Sequence, residues 1–388
     1  MSEQIKYVDR VGTNCNKWDA MDARFGDGDL MALWVADMDF VVPQCVIDAA
    51  RKYVDFGIYG YYKVPAGYYQ NFIDWEKKYH NCEIQREWLR FAPGVVSPIN
   101  WYVNMKTQPG EAVLVMKPVY YPFLDAINNN GRKLVSSDLV CENGIYTVDF
   151  ADFEKQIVEN NVKLFILSSP HNPVGRVWKR EELEQMLQIC RKHGVFVVAD
   201  EIHHDLIMPG YEHTEILNIP GYTDMLVAIT AGSKTFNLAG CQNSFVILPD
   251  EKLRAEYDAF TASVRIKGGN AFGYVAVEAA FGGGREWLEG VLDIIHENAE
   301  YIKNTLAAEL PQAVVSPLEG TYLQWVDFGA YVKGEDMKHF IQDSCRLAVD
   351  YGDWFGGEKW ATFARFNLAT SQDNIKEAMA RIIKYIKG

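Results

Sequence analysis

The chain has 388 residues, of which 48% are hydrophobic, and this length exceeds the size at which one core stops growing, so we expect two domains. Its formal net charge of -14, from 52 acidic and 38 basic residues, argues against a surface that binds duplex nucleic acid or an anionic membrane. The seven cysteines include no C-x-x-C pair, no apolar run is long enough to cross a bilayer, and the N-terminus lacks signal-peptide features. We therefore expect a reduced, cytoplasmic protein that has no nucleic-acid or membrane partner.

The N-terminal part of the chain shows little periodicity. Residues 1–29 are rich in Asp, Gly and Asn, which indicates an arm that lies over another surface rather than a packed element. An apolar run at 31–40 contains two acids, and Pro43 then begins a helix predicted to extend to about residue 56. The aromatic loop 56–62 either packs into the core or contacts a subunit or ligand, and the sequence leaves both alternatives open.

From residue 91 onward, short apolar runs alternate with helical or turn segments, which is typical of βαβ units. The runs lack polar alternation, so we predict strands that are buried on both faces. A helix is predicted at 181–193, where Gly194 ends it. The predicted fold is therefore α/β, with a mostly parallel sheet covered by helices. The four strand-like runs are 112–116, 164–168, 195–199 and 226–230.

The C-terminal part predicts a smaller α+β domain. The glycine run 282–284 precedes a long amphipathic helix. The run lacks the preceding strand and the following Lys-Ser/Thr pair that a phosphate-binding loop needs, so we interpret it as a hinge or cap. The predicted elements are helices at 285–310, 335–347 and 371–387, with Ser371 as N-cap of the last, and a strand at 321–326. We expect an N-terminal arm with part of the small domain at 1–45, a large domain at 46–285 and a small C-terminal domain at 286–388.

Polar residues follow several predicted strands, at the edge where α/β proteins place reacting groups. Lys234 follows the strand at 226–230, and partial burial would lower its pKa and make it a nucleophile or base. A Ser-Lys pair on its own usually marks a solvated loop. The polar residues that follow the neighbouring predicted strands favour instead a site for a pyridine-aldehyde cofactor. Asp200 could face a protonated ring nitrogen, and Asn172 could face the ring's phenolic oxygen. The other candidates are Tyr120 for stacking on the ring, and the backbone at Gly94, Val95 and Val96 with the Ser233 hydroxyl for a phosphate.

Several ordered motifs resemble a known family. The strings N-P-V-G at 172–175, A-D-E-I-H at 199–203 and S-K-T-F-N at 233–237 resemble the pyridoxal-phosphate enzymes of the aspartate aminotransferase fold, called fold type I. The resemblance is closer to the cystathionine β-lyase and cystalysin group of carbon-sulfur lyases, and it extends almost from end to end. The further motifs are W-V-A-D-M-D-F at 34–40, Y-G-Y at 59–61, P-V-Y-Y-P at 118–122, G-T-Y-L at 320–323 and R-F-N-L-A at 365–369.

The resemblance implies a role for each matching residue. Lys234 would form the Schiff base with pyridoxal 5'-phosphate, Asp200 would pair with the pyridinium, and Asn172 would contact the ring oxygen O3'. Arg365 would bind the substrate carboxylate, and Tyr61 would reach the phosphate of the neighbouring subunit. The remaining assignments are Tyr120 and Tyr121 in catalysis, Tyr121 and Trp34 in substrate binding, and Tyr120, Val95, Val96, Ser233 and His203 in cofactor binding.

The resemblance implies a homodimer with shared active sites that cleaves the Cβ–S bond of an amino-acid substrate and releases a thiol, pyruvate and ammonia. An aminotransferase and a non-enzymatic regulator that keeps the cofactor site are the alternatives. The segment 369–371 departs from some lyases, which leaves the substrate preference open. His203 and His204 beside Glu201 could suggest a metal site, but neighbours on an extended chain point to opposite faces, so we predict no metal.

Overall fold

The computed structural model describes residues 5–388. Its strands are β1 (Met31–Ala32), β2 (Leu89–Ala92), β3 (Ala112–Val115), β4 (Lys133–Ser136), β5 (Val140–Glu142), β6 (Ile145–Thr147), β7 (Leu164–Ser168), β8 (Phe196–Asp200), β9 (Leu226–Thr230), β10 (Ser244–Ile247), β11 (Val314–Val315), β12 (Leu323–Asp327), β13 (Leu347–Ala348), β14 (Asp350–Tyr351) and β15 (Phe363–Asn367). Its helices are α1 (Asn16–Asp19), α2 (Met21–Phe25), α3 (Gln44–Phe56), α4 (Ala66–His80), α5 (Val96–Lys106), α6 (Tyr121–Asn128), α7 (Phe150–Asn160), α8 (Arg180–His193), α9 (Gly232–Thr235), α10 (Glu251–Ser263), α11 (Ala271–Gly283), α12 (Arg285–Glu309) and α13 (Gln372–Lys387).

A seven-stranded sheet, in the order β2-β10-β9-β8-β7-β3-β4, forms the larger part of the molecule. The strands from β9 to β4 run parallel, whereas β10 is antiparallel to both of its neighbours. Every residue of β7 and of β9 is buried, because an apolar core lies on each face of the sheet. The predicted α/β fold with a mostly parallel, helix-covered sheet is confirmed.

The register of this sheet brings the predicted polar residues together. Ser168, the last residue of β7, pairs with Asp200, the last residue of β8, and Asp200 pairs in turn with Ile229 of β9. The loops that follow these three parallel strands therefore leave the sheet at one edge.

A four-stranded antiparallel sheet, β11-β12-β15-β14, forms the smaller part with α12 and α13. The amide of Asn298 in α12 donates to the carbonyls of Leu368 and Thr370 at 2.9 and 3.1 Å, which fixes the helix to the chain after β15. The N-terminal segment belongs to the same region, since β1 pairs with β13 in parallel. The domain limits 1–45, 46–285 and 286–388 remain predictions.

Most of the predicted helices form. Those predicted at 43–56, 181–193, 285–310 and 371–387 appear with limits within one residue of the prediction. The glycine run closes α11 and supplies Gly284 as its C-cap, which fits the predicted cap. In the described part of the chain, no helix combines the length and the apolar character that crossing a membrane requires.

Two predictions about local structure were wrong. The helix predicted at 335–347 is a 3-10 turn (Gly334–Asp336) and a π-helical turn (His339–Ser344), because Arg346 has a left-handed backbone with φ 55° and the next two residues form β13 against β1. The arm predicted at 1–29 is partly packed, since Met21 and Phe25 are buried and the buried Lys17 pairs with Asp39 at 2.7 Å. Residues 1–4 of that arm lie outside the described residues.

Candidate active site

Lys234 lies in α9, one short turn after β9, where the sheet edge meets the N-terminal segment. Its Nζ donates to the carbonyl of Ala36 at 2.5 Å. Burial lowers the pKa of the Lys234 ammonium to about 8, and the negative charge of Asp37 opposes this shift. A measurable fraction of neutral amine is therefore present near neutral pH, as a nucleophile or base requires.

Asp200 ends β8 inside the same cavity. Burial raises the pKa of its carboxyl to about 7, while the backbone N–H of Ile202, which donates to it at 3.1 Å, and the charge of Lys234 act in the opposite direction. Among residues 5–388 no cation forms an ion pair with Asp200, so a buried carboxyl faces the cavity without a positive partner. A protonated ring nitrogen would supply that partner.

The cavity collects most of the predicted cofactor residues. Its lining includes Lys234, Asp200, Asn172, Tyr120, Val95, Val96, Ser233 and His203. Val95 is the N-cap of α5 and Val96 is its first residue, and the first backbone N–H groups of this helix have no partner within it and can receive an anion. Gly94 has φ 78°, a left-handed conformation that glycine adopts without strain and that turns the chain into this helix.

The sequence reasoning missed Asn243 in this lining. Asn243 is buried, its Oδ1 accepts from the Tyr68 hydroxyl at 2.5 Å, and its Nδ2 has no hydrogen-bond partner in the described structure. Asn243 lies nine residues beyond Lys234 on an irregular turn that belongs to none of the motifs, so no sequence pattern singled it out. Together with Asp200 and the start of α5, this free donor fits a phosphorylated pyridine aldehyde better than an apolar ligand.

Arg365, on the smaller sheet, contacts Asn172 of the cavity lining. It is buried on β15, its Nη1 donates to Asn172 Oδ1 at 2.9 Å, and its Nη2 forms an ion pair with Asp350. The same Nη2 donates to the carbonyl of Trp34 at 3.2 Å, and Nε has no partner in the described structure. Burial raises the pKa of Asp350, and the Arg365 charge opposes that shift. The arrangement holds a guanidinium beside Asn172 with one N–H free.

Trp34 and Tyr121 are not part of the lining of the cavity. The indole of Trp34 donates to the carbonyl of Lys17 at 2.8 Å, so Trp34 contacts Arg365 through its backbone and not through its ring. Tyr121 does not line the cavity itself, but its ring lies 5.5 Å from that of Tyr120, which does. Burial raises the pKa of both tyrosine hydroxyls, which keeps them neutral.

Tyr61 is a further predicted site residue that the single chain does not bring to the cavity. Its side chain is fully exposed on the loop between α3 and α4. The rest of that loop is held by an aromatic cluster in which the Tyr53 ring lies 5.6 Å from Tyr59, 5.5 Å from Tyr62 and 5.0 Å from Phe272. The cluster fixes the loop at the surface and leaves Tyr61 in solvent, so the loop does not pack into the core, and its contact with a subunit or ligand stays a prediction.

His203 and His204 point in different directions. His203 lines the cavity, and burial together with the charge of Lys234 lowers its pKa well below the usual value. His204 enters a buried cluster of acids and histidines behind the cavity. In this cluster Asp205 accepts from His80 Nε2 and from the Thr235 hydroxyl, each at 2.8 Å, which connects the cluster to the turn that carries Lys234.

Two groups in this cluster offer ligand atoms within 4.8 Å of one another: Glu76, His80, His204 and Glu215, and Glu201, His213 and Glu215. The rings of His80 and His204 are stacked at 4.5 Å with an interplanar angle of 18°, so their nitrogen lone pairs lie side by side and do not converge on one point. Hydrogen bonds in which the imidazoles and the carboxylates share protons account for the close approach of these side chains. The predicted absence of a metal remains a prediction.

Comparisons with known proteins agree with this geometry. The family model for aminotransferase class I and II matches residues 28–382. The chain is 36% identical over 382 residues to the cystathionine beta-lyase PatB of Bacillus subtilis, covering 97% of this chain and 99% of that protein. A PLP-bound putative aminotransferase from Clostridium difficile superimposes with a TM-score of 0.94 at 37% identity, and each chain is covered to 98%.

A third comparison concerns cystalysin from Treponema denticola, whose structure contains a pyridoxal 5'-phosphate cofactor. It superimposes with a TM-score of 0.94 at 34% identity, covering 100% of this chain and 99% of that chain. The match extends over both sheets and over the sheet edge that carries Lys234 and Asp200. The chain belongs to the aminotransferase class I and II family.

Proposed function

We propose that this protein is a pyridoxal-phosphate-dependent carbon-sulfur β-lyase, which cleaves the Cβ–S bond of an amino acid such as cystathionine or cysteine and releases a thiol, pyruvate and ammonia. The observation that carries the proposal is one cavity that unites a lysine of lowered pKa, Lys234, with the buried carboxyl of Asp200 and the amide of Asn172. The similarity to PatB and to cystalysin supports the lyase activity.

The cavity residues divide the binding of the cofactor among them. Lys234 would bond its aldehyde carbon, Asp200 its ring nitrogen and Asn172 its phenolic oxygen, with Tyr120 against the ring. The phosphate would be bound by the start of α5 and by Ser233, with Asn243 as a further donor. When bound, pyridoxal phosphate supplies an electron sink that makes the substrate Cα–H acidic.

The chain's own residues then position the substrate and move its proton. Arg365 binds the α-carboxylate with N–H groups beside Asn172, as a planar guanidinium suits a carboxylate. The substrate amine would displace Lys234 from the aldehyde carbon, and the freed amine of Lys234 would then take the Cα proton. Its pKa of about 8 leaves roughly a tenth of the lysine neutral at pH 7 before cofactor binding. Loss of the thiolate from Cβ then completes the elimination.

We also propose that the active form is a homodimer with shared sites. The last residue of α3 and the loop that follows it expose Phe56, Ile58, Tyr59 and Tyr61, an apolar surface that a second copy would cover. Tyr61 would extend from this loop to the phosphate site of the neighbour.

An aminotransferase is the second candidate, because the Clostridium difficile protein with 37% identity is named a putative aminotransferase. In that reaction Lys234 would return the proton to the cofactor carbon and no C–S bond would break. The two reactions therefore require the same cavity residues and differ in their products and in their need for a keto acid.

The test is incubation of purified protein with L-cystathionine in the absence of any keto acid. A lyase releases pyruvate and free thiol in equal amounts, whereas an aminotransferase does neither and turns over only after a keto acid is added. Lys234→Ala should abolish the release, and Lys252→Ala, an exposed lysine on α10, serves as the matched control. Release of pyruvate by Lys234→Ala at the rate of the unmodified protein would contradict the proposal.

A further inference from the structure

A groove outside the cavity opens between α2, the 3-10 turn Gly334–Asp336 and the segment after β14. Its volume is about 400 Å³, enough for the head group of an amino acid, and its lining includes Arg24, Asp353 and Trp354.

Two aromatic rings, the buried Phe355 and the partly buried Tyr121, lie between this groove and the carboxylate-binding residue and are called the aromatic wall below. The Arg365 guanidinium carbon lies 4.9 Å from the centre of the Phe355 ring, and that ring lies 5.6 Å from the ring of Tyr121. Tyr121 in turn lies 6.3 Å from Trp354 and 5.7 Å from the guanidinium carbon of Arg24. The two arginines therefore lie at opposite ends of one wall, and both charges act on the buried carboxyl of Asp350.

Arg24 is held in place without using its hydrogen-bonding capacity. Its guanidinium carbon lies 4.1 Å from the centre of the Trp354 ring, a cation–π contact that leaves the N–H edge free. In the described part of the chain, from residue 5 onward, the guanidinium makes neither a hydrogen bond nor an ion pair with another side chain. A cation fixed by a ring and otherwise unpaired is suited to a bidentate contact with a carboxylate.

Asp353 supplies the opposite charge in the same groove. It precedes Trp354 in a 3-10 turn and forms no ion pair with any described cation, Arg24 included. The groove therefore offers one positive and one negative group that do not pair with each other. A zwitterionic ligand can pair with both, its carboxylate with the cation and its ammonium with the anion.

We propose that this groove is a distal subsite that binds the second α-amino-acid head of a two-headed sulfur amino acid, with its carboxylate on Arg24 and its ammonium on Asp353. In L-cystathionine four chain atoms separate the two α-carbons, so a substrate held by Arg365 at one head would extend past Tyr121, the partly exposed ring of the wall, to the groove with the other. The Cβ–S bond breaks on the Arg365 side, and the departing thiol carries the distal head out of the groove. The inference rests on the proposed lyase activity and names its substrate class.

The test compares a two-headed with a one-headed substrate in the holoenzyme. For Arg24→Ala and for Asp353→Asn, the ratio of kcat/KM for L-cystathionine to kcat/KM for S-ethyl-L-cysteine should fall about tenfold or more, because a charged hydrogen bond is lost only with the two-headed substrate. Lys333→Ala, an exposed lysine near the groove, is the matched control. A ratio that stays within twofold of the unmodified protein in both variants would overturn the subsite.

A binding measurement separates this inference from the activity. 2,7-Diaminosuberate has two amino-acid heads with the same four-atom spacing and no sulfur to eliminate, and L-norleucine has one head. By calorimetry, Arg24→Ala should raise the Kd of diaminosuberate about tenfold and that of norleucine less than twofold. Equal changes for both ligands, or none, would overturn the subsite whether or not the protein is a lyase. Failure of the unmodified protein to cleave either sulfur substrate would instead contradict the proposed function.

Discussion

The amine of Lys234 gains its reactivity from burial at the end of β9, where the Ala36 carbonyl accepts its hydrogen bond. The folded pKa of about 8 lies below the usual value of 10.5, so the unfolded chain binds more protons between these two values. The cost of burying the ammonium is therefore fully present below pH 8 and disappears as the pH rises to about 10.5.

Replacement of this lysine should stabilise the protein when it carries no cofactor. Lys234→Met should raise the free energy of unfolding at pH 7 by roughly 1–3 kcal/mol, and the gain should shrink at pH 9.5. Urea unfolding of the cofactor-free protein at the two pH values measures the difference. Lys252→Met, at an exposed position, should change little at either pH. A gain that is equal at both pH values would show that the charge of Lys234 is not its cause.

Arg365 should not tolerate lysine, although the charge is kept. Its guanidinium contacts Asn172, Asp350 and the Trp34 carbonyl together, and a single ammonium cannot reproduce these directions and also bind a carboxylate. We expect Arg365→Lys to lower kcat/KM at least about tenfold. The absorbance of the bound cofactor should stay normal, because Arg365 is proposed to contact the substrate carboxylate and not the cofactor. An intact kcat/KM, or loss of the cofactor, would give the arginine another role.

At the scale of elements, the loop between α3 and α4 decides whether two chains share a site. Tyr61 is exposed in one chain although a cluster around Tyr53 fixes the loop that carries it. A ring held out into solvent by a rigid support is expected where another chain covers it. If the sites are shared, Tyr61 of one chain serves the site of the other chain.

Hybrid dimers distinguish the two cases. A hybrid of one Lys234→Ala chain and one Tyr61→Ala chain has one complete site if Tyr61 serves its neighbour, and none if it serves its own chain. We expect the purified hybrid to show about half the kcat per dimer of the unmodified enzyme, well above the Tyr61→Ala homodimer. A parallel hybrid that carries Tyr385→Ala in place of Tyr61→Ala, at an exposed tyrosine on α13, controls for effects of preparing the hybrid. A hybrid no more active than the Tyr61→Ala homodimer would contradict shared sites.

The elements also show what the sequence could predict. Strands β7, β8 and β9 are continuous apolar runs, so both their burial and the position of Asp200 and Lys234 at their ends followed from pattern alone. The segment 335–347 has helical spacing as well, but the left-handed Arg346 and the pairing of β13 with β1 outweigh it. That pairing joins residues more than 300 apart, which no local pattern reports.

The same limit applies to the site. Lys234, Asp200 and Asn172 lie in recognisable motifs, whereas Asn243 and the cluster of His80, His204 and Asp205 are assembled by contacts between distant segments. The hydroxyl of Tyr68 meets Asn243 across 175 residues of sequence. Sequence patterns predicted the residues that end strands, and they missed those that support them from other elements.

At the scale of the whole molecule, the site depends on both sheets. Arg365 comes from the smaller antiparallel sheet and Asn172 from the loop after β7 of the larger one, and their side chains meet at 2.9 Å. The N-terminal segment joins the two, since it supplies Ala36 to Lys234 and the Trp34 carbonyl to Arg365. A mutation that shifts the smaller sheet relative to the larger one would therefore affect substrate binding at Arg365 more than it affects the cavity around Lys234.

The most direct measurement of the central claim is the covalent position of the cofactor. Sodium borohydride reduces a bond between a lysine amine and the aldehyde carbon of pyridoxal phosphate to a stable amine, which survives proteolysis and can be located by mass spectrometry. The account predicts one reduced adduct per chain, on the peptide that contains Lys234, and none in Lys234→Ala. An adduct on another lysine, or an unmodified Lys234 in protein that carries the cofactor, would contradict it.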